Sequence, residues 1–216
     1  MQKTVLTFGD SNTFGTMPMI NHGDIGRFPK GVRWPTVTQA ALGTDWDVIA
    51  CGLPGRTATA LPDPVMGAHM NGQFGLQIAL ASHAPIDVLT IMLGTNDCKA
   101  CFGLTAEGIA GAVAALLAIA KAPDMQARHG GFNIVLIAPP RVQERGNFVE
   151  SLWQATAKST ALPALYQALA THNNIAFLDA NDHIVTCQED GVHFDAAAHQ
   201  LLGTAVADKI TALPRL

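Results

Sequence analysis

The sequence predicts an α/β protein in which five parallel strands are covered by helices on both faces. Two observations carry this. Short runs of β-branched and apolar residues recur, each closed by turn residues and followed by a stretch with helical character. The runs VLTF, VIA, VLTIML, IVLIA and IAFL are also apolar at successive positions, as strands buried on both faces must be. The strands are expected at Thr4–Gly9, Asp47–Cys51, Asp87–Leu93, Asn133–Ala138 and Ile175–Asp179. No repeat, Gly/Ser linker or charge block divides the 216 residues, so residues 1–216 are read as one domain.

Helices are expected at Trp34–Leu42, Gly75–Ser82, Ala106–Lys121, Phe148–His172 and Ala196–Ala212. Thr105 and Asp195 are placed to cap the third and fifth, and Pro123 closes the third behind Lys121. Pro163 predicts a kink in the fourth, or two shorter helices meeting there. Three long non-periodic connections, Thr16–Arg33, Leu53–Gln73 and Pro139–Asn147, leave the C-terminal ends of strands. Open parallel sheets bind ligands at that edge, and loops this long in compact domains are commonly functional.

Composition narrows the function classes. Net charge is −4, without a Lys/Arg cluster, so the electrostatic footprint of nucleic-acid binding is missing. The N-terminus lacks the h-region and cleavage site of a secretion signal, and the Ile109–Ala120 stretch is too short to span a bilayer. A cytoplasmic protein without a membrane partner is expected. Cys51, Cys98, Cys101 and Cys187 then read as reduced thiols, and Cys98-x-x-Cys101 lacks the second pair that a zinc site needs. His22, His69, His83, His129, His172, His183 and His199 stand at no metal-site spacing, so they read as surface or core residues and no metal or cofactor is called for. Only 14% of residues are charged while 49% are hydrophobic, which predicts a homo-oligomer whose interface narrows the entrance to the site.

Four segments at strand ends carry the chemistry: Gly9-Asp10-Ser11-Asn12-Thr13, Gly52-Leu53-Pro54-Gly55-Arg56-Thr57, Gly94-Thr95-Asn96-Asp97 and Asp190-Gly191-Val192-His193-Phe194. Singly, each reads as a cap or turn. Jointly they hold the complementary parts of acyl transfer. Ser11 is the candidate nucleophile, His193 its base, and Asp190, three residues earlier, the carboxylate that fixes the imidazole tautomer. The backbone N–H groups of Ser11 and Gly55 and the Asn96 amide are the candidate oxyanion donors, with Gly52 a competitor for Gly55. Asp97 reads as a turn or loop-anchoring residue, Asp10 as a structural hydrogen-bonding residue beneath the nucleophile, and Arg56 as a loop brace, with pairing to an acidic group the alternative. Phe14, Trp34, Phe74 and Phe102, together with Met66, Met70 and Phe148, are candidate pocket walls for a small ester substrate.

GDSNT, Gly55 in GLPGRT, GTND and DGVHF resemble the four blocks of the SGNH (GDSL-type) hydrolases, in order and over nearly the whole chain. RFPKGVRWP, GLPGRT and IMLGTNDCKACF are similar to the corresponding stretches of the bacterial arylesterase/acyltransferase members. The resemblance implies a three-layer αβα, flavodoxin-like fold, with Ser11, Gly55, Asn96, His193 and Asp190 as the functional set. It also implies hydrolysis of short-chain or aryl esters, with acyl transfer as a second outcome of the acyl-enzyme. Asn12 stands where many members carry Leu, a departure expected to bear little on mechanism; the small Thr16 leaves the pocket's shape open. A carbohydrate O-deacetylase of the same fold and a non-catalytic small-molecule binding module are the alternatives.

Overall fold

The computed structural model describes residues 2–21 and 23–214, so His22 lies outside the described residues. Its sheet contains β1 (Lys3–Gly9), β2 (Trp46–Gly52), β3 (Val88–Met92), β4 (Asn133–Ala138) and β5 (Ala176–Asp179), all parallel, in the order β2-β1-β3-β4-β5. The helices are α1 (Ser11–Phe14), α2 (Trp34–Leu42), α3 (Gly72–Ser82), α4 (Ala106–Lys121), α5 (Pro123–His129), α6 (Ala155–Asn173) and α7 (Ala196–Thr211). No single helix among the described residues is long and apolar enough to cross a membrane.

Alternation along each strand divides the core in two. Val5, Val88 and Val135 face α2 and α7, where they meet Trp34, Phe194, Leu202, Val206 and Ile210. Leu6, Leu89 and Leu136 face the other way, against Leu76, Leu80, Ile109, Val113, Leu162 and Tyr166 of α3, α4 and α6. β3 is therefore buried at every position, and the three-layer arrangement follows from runs that are apolar on both faces. β2, at the sheet edge, is only half buried.

The caps form as expected. Thr105 Oγ1 accepts the Gly108 N–H at the head of α4, and Asp195 Oδ1 accepts the Ala198 N–H at the head of α7. The main departures from expectation involve α4 and α6. Pro123 does end α4, but it also opens α5, because a proline at the first turn gives up an N–H that has no helical partner there. The fourth helix starts at Ala155, while Phe148 lies in a separate 3₁₀ turn, Gly146–Phe148. Pro163 does not split α6, which runs as one element across it. The hydroxyls of Ser159 and Thr160 donate back to carbonyls of the preceding turn around the site of the missing N–H.

This order makes the C-terminal edge a place of convergence. From β1 the chain goes first to β2 on one side and then to β3 on the other, and the crevice at such a reversal is where open parallel sheets receive ligands. The segments after β1, β2 and β3 hold Ser11, Gly55 and Asn96 respectively.

Candidate active site

Ser11 opens the short α1 turn directly after β1. Asp10 precedes it as N-cap, its carboxylate accepting the Asn12 N–H at 2.9 Å. The turn sits tightly on β2: a Cβ on Gly52 would lie 2.1 Å from the Phe14 backbone nitrogen. Gly52 thus serves the close approach of α1 to the strand exit, while Gly55, at φ +87°, makes the left-handed turn beyond it.

Ser11 Oγ lies 3.1 Å from His193 Nε2, and His193 Nδ1 lies 2.6 Å from Asp190 Oδ2. All three side chains are buried. Asp190 is held by more than the imidazole. Its Oδ1 accepts the N–H groups of Val192 and His193, both at 2.9 Å, and the Cys187 thiol at 3.1 Å; Oδ2 also accepts the Met19 N–H at 2.8 Å. Burial alone would raise the Asp190 pKa, but the His193 ring and these backbone donors hold the carboxyl well below the ordinary range. Burial pushes the Cys187 thiol up to about 12, so it keeps the proton it donates.

Among the described residues, neither the Ser11 nor the Gly55 backbone N–H meets an acceptor. The Asn96 amide donates one hydrogen to the Arg56 carbonyl at 3.1 Å, leaving the second uncommitted. The loop carrying Gly55 is anchored by Asp97, whose carboxylate accepts the N–H groups of Ala58 at 3.0 Å and Thr59 at 2.7 Å. Asp97 therefore takes the loop-anchoring role expected of it, and Asp10 the structural hydrogen-bonding role expected beside the nucleophile. Burial raises both to about 6, opposed at Asp97 by those N–H groups and at Asp10 by the Asn12 N–H. Their contribution to stability is then fully present below the unfolded value near 4 and is lost as pH rises through about 6, opposite in sign to that of Asp190.

The candidate pocket residues divide between those set against the site and those elsewhere. Trp34 is wholly buried in the core beneath α7, where its backbone N–H donates to His199 Nδ1 at 3.3 Å, so it has no surface to offer a substrate. Burial pulls His199 down to about 4, keeping the imidazole neutral and able to accept. Phe74 points outward on α3 at 66% exposure, Phe14 carries the Arg27 guanidinium at 3.7 Å, and Phe102 is buried in a 3₁₀ turn. The ring set against His193 is Phe148, edge-on at 5.8 Å. Met66 packs over Gly55, its Sδ only 2.4 Å from where a Cβ would stand. Asp63 fixes that turn: it accepts the Val65 and Met66 N–H groups and pairs with Lys99 at 2.9 Å.

Two contacts lay outside the sequence reading. Asn12 is not neutral to the site, since its amide donates to the Val192 carbonyl at 3.1 Å and ties the Ser11 turn to the His193 loop. Met19 reaches Asp190 through its backbone N–H, which leaves no trace in residue type. All four cysteines are free, Cys98 buried and Cys101 at the surface.

Residues 7–201 match the GDSL-like lipase/acylhydrolase family. Est24, a carbohydrate acetylesterase from Sinorhizobium meliloti, is 35% identical with a TM-score of 0.92, over 98% of this chain and 99% of that one. The M. smegmatis aryl esterase is 33% identical with a TM-score of 0.91, over 98% and 100%. A putative arylesterase from Agrobacterium tumefaciens is 34% identical with a TM-score of 0.89, over 97% and 99%. Among curated proteins none matches the chain. With the match running across nearly its whole length, the chain belongs to the GDSL-like lipase/acylhydrolase family, the SGNH-type hydrolases.

Proposed function

We propose that the protein is a serine esterase for short-chain acyl esters, acting through Ser11, His193 and Asp190 without a metal. The observation that carries this reading is the unbroken relay from Ser11 Oγ to His193 Nε2 and from His193 Nδ1 to Asp190. Ser11 attacks the ester carbonyl as His193 takes its proton, and Asp190 steadies the imidazolium that forms. The oxyanion is met by the Ser11 and Gly55 N–H groups and the free Asn96 hydrogen. These neutral donors are already aimed when charge develops. His193 then protonates the leaving alcohol, and water, or an acceptor alcohol in acyl transfer, releases the acyl group by the same steps in reverse.

Met66, packed against Gly55, supports a short acyl pocket. Across p-nitrophenyl esters, kcat/KM is expected to peak between acetyl and butyryl and to fall by at least about tenfold at octanoyl, since a pocket that cannot admit added methylenes forfeits their burial. A steady rise toward long chains contradicts this part of the reading.

A specific observation favours a saccharide as the alcohol half. The leaving oxygen must stand within reach of His193 Nε2, and the Phe148 ring stands edge-on to that imidazole at 5.8 Å. There a cleft of about 300 Å³ is lined by Met19, Asn21, Asn147, Phe148, Glu150 and Ser151. One ring bordered by two amides, a carboxylate and a hydroxyl matches a hydroxyl-rich group better than a second aromatic ring. Acetylated saccharides assayed beside aryl acetates separate the two: the cleft predicts the higher kcat/KM for neutral saccharide acetates after allowance for leaving-group pKa. The exposed Ile20 and Ile25 on the loop beside this cleft are surface that the proposed homo-oligomer would cover.

A further inference from the structure

The geometry points to Arg56 as the positioning residue that fixes the three oxyanion donors relative to one another. This rests on the serine-esterase reading above. The donors sit after three different strands, so no single element holds them in register. Arg56 links the three segments that carry them. It is the peptide neighbour of Gly55, its carbonyl takes the Asn96 amide at 3.1 Å, and its Nη1 donates at 2.8 Å to the carbonyl of Gly9, two residues before Ser11. The same Nη1 donates to the Cys51 carbonyl at 2.6 Å, and the backbone N–H closes onto Leu53 at 3.0 Å.

The side chain occupies an unusual place for an arginine. It is 7% exposed, and among the described residues no carboxylate pairs with it. Its guanidinium carbon instead lies over Phe8, 4.1 Å from the ring centroid, while Nη1 donates to the two carbonyls. Burying a cation on carbonyls and a ring face is costly unless the geometry is used. A planar fork that stacks and donates at once holds one orientation, which a lysine ammonium does not. The oxyanion donors need such definition, because a displacement of about 1 Å costs on the order of 10²-fold in rate.

The test is Arg56→Met with p-nitrophenyl acetate, alongside two inhibitors. One is an aryl trifluoromethyl ketone, which adds Ser11 and places an oxyanion in the hole; the other is N-(4-nitrophenyl)acetamide, an uncharged ground-state mimic. Expected are a fall in kcat of about 10²-fold, KM and the amide's Ki within about threefold, and a ketone Ki weakened by about the same 10²-fold. Arg56→Lys, which keeps the charge and a donor, supplies the same three readings if the methionine variant does not fold, and is expected to stay at least about tenfold below wild type. In Arg56→Ala, added ethylguanidinium is expected to restore part of kcat. Activity within about threefold of wild type in the folded variants, or parallel loss of ketone and amide affinity, overturns the proposal provided Ser11→Ala is inactive. If Ser11→Ala is itself active, the esterase reading fails instead.

Discussion

Ser11→Ala is expected to reduce kcat for p-nitrophenyl acetate by on the order of 10⁶-fold, the loss typical when the nucleophile of a Ser-His-Asp relay is removed. The reason is local. Among the described residues the Ser11 hydroxyl, 3.1 Å away, is the hydrogen-bond partner of His193 Nε2, and an alanine leaves the imidazole only water to deprotonate. The fold has little stake in that oxygen. It makes one hydrogen bond, worth roughly 1 kcal/mol, so Tm is expected to move by no more than about 4 °C in a chain of this size. Steady-state assay beside thermal denaturation checks both halves. Loss of activity together with collapse of Tm would mark Ser11 as structural.

Asp190→Asn has the second largest expected effect, about 10⁴-fold in kcat. The carboxylate accepts from five donors: the His193 ring and backbone, Val192, Met19 and the Cys187 thiol. An asparagine turns an NH₂ toward at least one of them, and the imidazole loses the acceptor that keeps its proton on Nδ1. Unlike Ser11→Ala, this change also costs stability, and with a pH signature. Because the native carboxyl is held below its ordinary value, its contribution is present above the unfolded pKa near 4 and is lost as pH falls toward the native value. The Tm gap between wild type and Asp190→Asn is therefore expected to be widest near neutral pH and to narrow below about pH 4. A gap independent of pH would contradict the assignment of charge to Asp190.

Much of this site is legible in the sequence because its parts are local. Strands buried on both faces write continuous apolar runs, and each run ends in a block whose residue types announce a tight turn or a hydrogen-bonding side chain. Asp190 and His193 lie three apart, so one turn presents both. The rest is written in long-range contacts. Met19 serves Asp190 across 171 positions with a main-chain group, and Asn12 braces Val192 across 180 with an amide that locally reads as an ordinary substitution. Aromatic residues were the least readable. Trp34 and Phe148 carry the same apolar signal, yet the packing of α2 against α7 buries the first in the core, while a 3₁₀ turn outside α6 sets the second against His193. Pro123 is legible as the stop behind α4 but not as the start of α5, since only the chain beyond a proline decides whether a new helix follows.

The most direct test of the central claim is covalent labelling with a fluorophosphonate, read by mass spectrometry of the digested protein. The Ser11–His193–Asp190 relay predicts one adduct on Ser11, formed in wild type and absent from both Ser11→Ala and His193→Ala. Labelling at another residue, or none in wild type, would contradict it and return the chain to the reading of a binding module on an esterase fold.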